Sequence, residues 1–229
     1  MKKLLVISAA WAVVALPAMA DFYVAGEMNG WNAAGNIMTD MGGGIYQASL
    51  TGLTGSSRYE FKVTDGTWGW SVPGPNSWLY SDAGGNVTIT YDVNTYADGW
   101  SGDGGRLGVS VDPGTWTAVG DWQGWDNANG ATGMSSIGGG VYELSYAIAS
   151  PGSYQYKAVD TGSWDAIGSD WRDVNAGTLS FTTTGAGQMV NFYVNALNGT
   201  IKVSVVPEPS VLTLLGSALG MGLILFRRR

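Results

Sequence analysis

Two short stretches place a tryptophan where a chain usually turns. Residues 26–32 read GEMNGWN and residues 120–126 read GDWQGWD, so both share a Gly-x-x-x-Gly-Trp frame. Glycine and asparagine favour turns, because the backbone there visits positive φ and the Asn side chain bonds locally. A tryptophan in such a turn either fills the core or presents its ring at a binding face. Both interpretations stay open for Trp31 and Trp125.

Exposed aromatic rings beside polar side chains suit one class of ligand, the carbohydrates. One face of a pyranose is mostly C–H and stacks on a ring, whereas its hydroxyl edge needs directed donors and acceptors; a tryptophan offers a large contact with few rotors to freeze. Trp68 and Trp164 follow turns that end predicted strands, which favours the surface. Trp70, Trp78 and Trp171 lie in adjoining predicted loops and either extend a platform or cover an edge.

The segments that must position these rings occur as a sequence repeat, two copies in the chain. Three pairs of segments match: FYVAGEMNGWN (22–32) with WTAVGDWQGWD (116–126), GGGIYQASL (42–50) with GGGVYELSY (138–146), and RYEFKVTDGTW (58–68) with SYQYKAVDTGSW (153–164). The duplication predicts two domains, 21–111 and 115–205. Asp112-Pro113-Gly114 between them has the composition of a turn and predicts a short linker.

Each repeat has the pattern of an all-β domain. In the first repeat the predicted strands are 22–25, 45–50, 58–64, 87–91 and 107–111. Alternation is clear in 58–64, where Tyr59, Phe61 and Val63 share one face. About 90 residues with this many short strands is the scale of an immunoglobulin-like sandwich. The predicted fold is therefore all-β, with two tandem immunoglobulin-like β-sandwiches.

Composition excludes several functions. The segment 21–205 carries six basic and seventeen acidic residues, which argues against nucleic acid as a partner. The chain has no Cys and no His, so it lacks disulfides and the commonest general base and metal ligand. Asp65 and Asp160 are the only repeat-matched acids near the tryptophans, and neither has an evident partner for glycoside hydrolysis. We expect no enzyme, no cofactor and no metal; the acidic residues of 92–103 fall near calcium-loop spacing, but Ala97 occupies the glycine position.

The two ends indicate export. Lys2 and Lys3 precede an apolar run that closes on Ala18-Met19-Ala20, which predicts a signal peptide over 1–20 and removal by signal peptidase before Asp21. At the other end, 206–229, an apolar run over 211–226 is somewhat short of the roughly 20 residues of a relaxed span. The arginines that follow it would stay cytoplasmic.

The C-terminal segment resembles the PEP-CTERM sorting signal. Its three ordered parts are a Pro-Glu-Pro triplet, a short hydrophobic helix and a terminal arginine cluster, carried here by Pro207, Glu208, Pro209, Arg227, Arg228 and Arg229. The resemblance implies recognition by an exosortase, a transient stay in the inner membrane of a Gram-negative bacterium, and release of the tail. Delivery to the cell surface or extracellular matrix, alongside exopolysaccharide, would follow. The alternative is a permanent anchor formed by the transmembrane helix.

The body of the chain resembles a second family, the early-set immunoglobulin-like modules that bind starch or glycogen, including those associated with pullulanases. The shared order is Gly-x-x-Asn-Gly-Trp, a Gly-Tyr turn, Tyr-x-Phe/Tyr-Lys, Asp-Gly-x-Trp and a Gly-Asn before a late strand. The resemblance implies that Trp31 and Trp68 stack on sugar, while Lys62 and Asn86 bond its hydroxyls. The second repeat offers Trp125, Trp164 and Lys157, but Gln188-Met189 stands where the late Asn is expected.

Two functions from different classes compete. The first is a non-catalytic exported carbohydrate-binding protein, with an α-glucan or exopolysaccharide as the partner. The second is a structural protein of the extracellular matrix, in which the sandwiches bind no sugar. Exposure of the tryptophan rings separates the two, because buried rings cannot stack on a ligand.

Overall fold

The structure, a computed structural model, describes residues 21–101 and 105–208. The predicted signal helix and the predicted sorting helix, with Pro209 and the three terminal arginines, lie outside these residues. Pro207 and Glu208 are described, and both are exposed. Within the described part of the chain, no helix combines the length and the apolar character needed to cross a bilayer.

The described chain is mostly β, which confirms the all-β prediction. Three short 3-10 helices accompany the strands, at Glu27–Asn29, Asp121–Gln123 and Gly130–Thr132. The strands are β1 (Tyr23–Gly26), β2 (Asn36–Ile37), β3 (Thr39–Gly42), β4 (Ile45–Leu50), β5 (Arg58–Thr64), β6 (Ser71–Tyr80), β7 (Val87–Asp92), β8 (Arg106–Val109), β9 (Trp116–Gly120), β10 (Ser135–Gly138), β11 (Val141–Ile148), β12 (Gly152–Asp160), β13 (Ala166–Ile167), β14 (Arg172–Asp173), β15 (Leu179–Thr183), β16 (Gln188–Asn195) and β17 (Thr200–Val205).

In the first half of the chain, 21–111, two antiparallel sheets enclose one core. One sheet has the order β2-β1-β5-β6 and the other the order β3-β4-β7-β8. Phe61 and Val63 of β5 meet Ile89 of β7 and Leu107 of β8 in this core, and all four are buried. The predicted alternation of β5 is thereby confirmed, since its odd-numbered residues face inward.

The second half, 115–208, repeats this plan with one enlargement. Strands β10-β11-β16-β17 form one sheet, and β12 pairs with β9, β13 and β15 in the other. In the first half a single long strand, β6, pairs along β5. In the second half two shorter strands, β13 and β15, pair along β12 instead. The chain between them, 168–178, forms a loop that includes β14.

Five strands of the first half lie close to their predicted bounds, but β6 was not expected. Its sequence, SVPGPNSWLY, contains two prolines and a glycine, which weaken a strand assignment. The structure accommodates them because β6 is an outer strand of its sheet and its pairing with β5 shifts register between Phe61 and Val63. Trp78, which was expected in a loop, therefore lies within a strand.

Strand β6 is covered by the second half, so the two halves share an extended interface. Trp78 is wholly buried in the core of the second half, 6.0 Å from Trp116 between ring centroids. The amide of Val174 donates to the carbonyl of Asn76 at 3.1 Å. Contact with a neighbouring unit protects an edge that would otherwise expose unpaired backbone groups.

A second contact joins the other pair of sheets. The amide of Val109 in β8 donates to the carbonyl of Leu197 in the β16–β17 turn at 2.8 Å. This close approach needs glycine on both sides. A Cβ on Gly108 would lie 2.7 Å from the Leu197 oxygen, and one on Gly199, where φ is +71°, would lie 2.1 Å from the Leu107 oxygen.

Candidate functional site

The repeated turn holds its tryptophan in an unusual backbone conformation. Trp31 has φ of 61° and Trp125 has φ of 59°, both in the left-handed region, which is a genuine outlier for a bulky side chain. Each follows a left-handed glycine, Gly30 or Gly124. The Trp31 amide donates to the Gly26 carbonyl at 2.9 Å, and the Trp125 amide donates to the Gly120 carbonyl at 3.2 Å.

Side chains of the turn lock it onto the neighbouring strands. Glu27 accepts from the amide of Glu60 at 2.8 Å, and Asn29 donates to the carbonyl of Val24 at 2.8 Å. The second copy makes equivalent bonds. Asp121 accepts from the amide of Gln155 at 2.8 Å, and Gln123 donates to the carbonyl of Ala118 at 3.2 Å. These bonds explain why an acidic residue and an amide recur two positions apart, and they hold the left-handed tryptophan in place.

The first turn brings Trp31 next to Trp68. Their ring centroids are 6.4 Å apart and the rings are inclined by 42°. Trp68 is 52 % exposed, and Trp31 is half-buried. Asp65 fixes the loop that carries Trp68, because its carboxylate accepts from the amide and the hydroxyl of Thr67 at 2.9 and 2.7 Å. These bonds also lower the pKa of Asp65.

Lys62 does not join this pair, because its ammonium group is bonded elsewhere. Its Nζ donates to the carbonyls of Pro73 and Gly74 at 2.5 Å and to that of Pro75 at 3.1 Å. An ammonium has three donors, so all of them are used to hold the bulged part of β6. Burial lowers the pKa of Lys62. The sugar-bonding role implied by the resemblance is therefore not supported by this geometry.

Asn86 is also separated from the tryptophan pair. It lies in a turn whose Asp82 carbonyl accepts from Ser56, just before β5 begins, whereas Trp68 follows the end of β5. Seven strand residues span about 20 Å. Asn86 bonds Asp82 instead, through its backbone amide at 2.8 Å and its side chain at 3.2 Å. The structure thus brings together two of the four residues proposed for the first repeat.

In the second half, Trp125 is more firmly packed than its counterpart. It lies against Val119, Val159 and Ala166, which are buried, and its Nε1 donates to Asp121 at 3.0 Å. Trp164 is 47 % exposed and lies under the ammonium of Lys157, whose Nζ is 5.6 Å from the ring centroid. That distance is within the range of a cation–π interaction.

Lys157, like Lys62, is engaged with the protein. Its Nζ donates to the carbonyl of Ala176 at 3.2 Å, and burial lowers its pKa. The nearby Asp173 is fully buried, and burial raises the pKa of its carboxyl group to about 6. Both lysines oppose that rise.

The repeat-matched acids have different roles in the two halves. Asp160 is buried at the interface, accepts from the hydroxyl of Tyr80 at 3.1 Å, and has a pKa raised by its burial. The pKa of Tyr80 is also raised, to about 12, mainly by burial. Asp165 accepts from the guanidinium of Arg58, with Nη2 to Oδ1 at 2.6 Å and a second bond from Nε. The Tyr80–Asp160 and Arg58–Asp165 contacts therefore join the two halves.

The sequence names members of two further groups of side chains but does not bring those members together. Phe22 lies 5.5 Å from Trp70 and 5.1 Å from Tyr91, and Tyr91 lies 6.4 Å from Trp171 of the second half, measured between ring centroids. This aromatic chain is formed by distant segments, which no local pattern reveals. The second group lies around Tyr96 and Arg106, where the guanidinium carbon is 4.4 Å from the ring centroid. The run of acids and amides over 92–98 was a usable signal for it.

Neither the protein-family models nor the curated proteins that were searched contain a match to this chain.

Proposed function

We propose that this chain is a non-catalytic carbohydrate-binding protein that stacks a polysaccharide on Trp31 and Trp68. The observation that carries the proposal is the pairing of two rings 6.4 Å apart, one of them half exposed, on a locked turn. Tilted neighbouring rings suit successive sugar units of a curved chain, such as an α-glucan. Exposed Asn32, which follows Trp31, and exposed Asp65, three residues before Trp68, supply polar groups for sugar hydroxyls.

The fold proposed for this function is a pair of immunoglobulin-like sandwiches. It is supported by two sheets around one core in the first half and by the same order of strands in the second. Trp68 and Trp164 are 52 % and 47 % exposed, which counts against the alternative of a structural matrix protein with buried rings. Trp164 is assigned the weaker contribution, because the ammonium of Lys157 lies over its ring, 5.6 Å from the centroid.

Delivery to the cell surface is part of the proposal. Signal peptidase removes 1–20, the tail passes transiently through the inner membrane, and an exosortase recognises the Pro-Glu-Pro triplet and releases the segment after it. The exposed positions of Pro207 and Glu208 are compatible with access by such an enzyme. Mass spectrometry of surface-located protein should find neither 1–20 nor 211–229. Recovery of peptides ending at Arg229 would contradict the release step.

Retention in native gels that contain glycogen, or purified exopolysaccharide, tests the binding site. Trp68→Ala should abolish the retardation while the melting temperature stays nearly unchanged, because exposed residues usually shift stability by no more than about 0.5 kcal/mol. Trp164→Ala is the matched variant and should reduce retention less. Absence of wild-type retardation on both polymers, or full retardation of Trp68→Ala, would refute the proposal.

A further inference from the structure

A cleft of about 300 Å³ lies between the two halves of the chain. Strands β7 and β8 of the first half form one wall, and the end of β16 with the turn after it forms the other. Its volume matches the lower end of small-molecule sites. Neither Trp31 nor Trp68 lines it. The polar side chains that do are those of Thr90, Asp92, Tyr96, Arg106, Asn195 and Asn198.

Two asparagines line this cleft, and their side-chain oxygens are already bonded to the protein. The side-chain oxygen of Asn195 accepts from the amides of Leu197 and Asn198 at 3.2 and 3.1 Å, and that of Asn198 accepts from the Thr200 hydroxyl at 2.6 Å. The oxygens are thus used to fix the turn. Among the described residues neither NH₂ group has a partner, which leaves four N–H donors for a ligand.

The opposite wall supplies an acceptor and an aromatic ring. Asp92 accepts from Asn94 through Oδ1 at 2.9 Å and from the Tyr96 hydroxyl through Oδ2 at 2.8 Å. A carboxylate has about four acceptor positions, so Oδ2 retains capacity for a ligand hydroxyl. The bond to Asp92 also fixes the Tyr96 ring, which remains 42 % exposed.

Arg106 stiffens this wall and is itself incompletely bonded. Its side chain is nine-tenths buried, and its Nη2 bonds both oxygens of Asp98 at 2.9 Å. The guanidinium covers one side of the Tyr96 ring. Its buried Nε has no hydrogen-bond partner among the described residues.

The charges around the cleft select the class of ligand. Arg106 is paired with Asp98, and Asp92 adds a further negative charge, so an anionic ligand is repelled. Amide donors, a carboxylate acceptor and one ring are the groups that a neutral polyol requires. We propose that this cleft binds a single neutral sugar residue, as a second site that needs both halves of the chain. The proposal does not rest on the tryptophan pair.

The test is a titration of the ¹⁵N-labelled chain with D-glucose, D-galactose and D-mannose, with D-glucuronate as the anionic control. We expect saturable shifts of the Asn195 and Asn198 side-chain amides with at least one neutral sugar, and no saturable shift with D-glucuronate. Asn195→Asp and Asn198→Asp keep the oxygen that fixes the turn but remove the donors. Each should weaken binding about ten-fold, read from the remaining amide. Trp68→Ala should leave the shifts unchanged.

Four results would overturn the proposal. They are the absence of saturable shifts with all three neutral sugars up to roughly 50 mM, tightest binding by D-glucuronate, wild-type affinity in both asparagine variants, and loss of the shifts in Trp68→Ala. Polysaccharide retention is measured separately. If retention persists while the amides do not respond, the cleft proposal fails and the tryptophan site stands. If the amides respond while the wild-type chain shows no retention, the tryptophan site fails and the cleft proposal stands.

Discussion

Lys62 and Lys157 occupy equivalent positions of the two repeats, yet the charge of one buried carboxyl group, that of Asp173, opposes the burial-driven lowering of both lysine pKa values. The repeats are therefore not arranged as two independent copies, each with its own lysine at its own site. The loop that carries Asp173, 168–178, belongs to the second half and is absent from the first. The loop accepts from Lys157 through the Ala176 carbonyl, and its Val174 amide donates to β6, the strand whose carbonyls Lys62 holds.

Replacing Lys62 distinguishes this structural role from a role in binding. Lys62→Met removes the donor to three carbonyls, so we expect a loss of roughly 1–3 kcal/mol in the free energy of unfolding with unchanged retention on glycogen. Urea unfolding and native gels measure the two effects. Lys157→Met, which loses one carbonyl contact, is the matched control and should cost less. Loss of retention at wild-type stability would instead make Lys62 a ligand donor.

The left-handed backbone of Trp31 predicts an unusual order of stabilities. An L-residue in this region costs roughly 1–2 kcal/mol, whereas glycine adopts it freely. Trp31→Gly should therefore be about 1 kcal/mol more stable than Trp31→Ala, and both should lose retention. Glycine usually lowers stability through the unfolded chain, so this order is specific to positive φ. Equal stabilities, or a less stable glycine variant, would show that the turn rearranges. The same pair at Trp125 provides an internal repeat.

Asp173 predicts a pH dependence with a defined sign. Its pKa in the folded chain, about 6, lies above the ordinary value of 3.8. The folded state therefore holds the proton more tightly, and the stability that this contributes is present at low pH and lost as the pH rises through about 6. The change amounts to at most about 3 kcal/mol.

Asp173→Asn mimics the protonated side chain and should remove this component. We expect the variant to exceed the wild type in free energy of unfolding near pH 7 and to approach it near pH 4, by urea titration at each pH. The difference between the two proteins isolates Asp173 from other carboxylates, and the exposed Asp40→Asn serves as the control. A difference that is independent of pH would contradict the assignment.

Trp78 should couple the unfolding of the two halves. The ring is wholly buried, and the guanidinium of Arg172 lies 4.2 Å from its centroid. Trp78→Ala should cost roughly 3–5 kcal/mol and separate a single thermal transition into two, because it removes the main apolar contact of β6 with the second half. Calorimetry measures both. A single transition in the variant would locate the coupling elsewhere, and exposed Trp164→Ala should show no such change.

The sequence predicts the strands better than it predicts the site. Alternating residues in β5 identify their own core face, because that signal is local. Strand β6 escapes detection, since its prolines are tolerated only through a bulge that Lys62 bonds from the neighbouring strand. The separation of Asn86 from Trp68 depends on which end of β5 each loop meets, and this is set by long-range pairing. A family motif gives the residue types but not these distances.

The burial of Trp78 by the second half has a consequence for how such a chain can change over generations. Independent tandem domains can be lost, added or exchanged one at a time, because each domain buries its own core. Here β6, an outer strand of the first half, carries a tryptophan that is buried by the second half. A gene fragment encoding the first half alone would expose that tryptophan and an open strand edge to its neighbours. Recombination that keeps Trp78 buried must therefore move both repeats together.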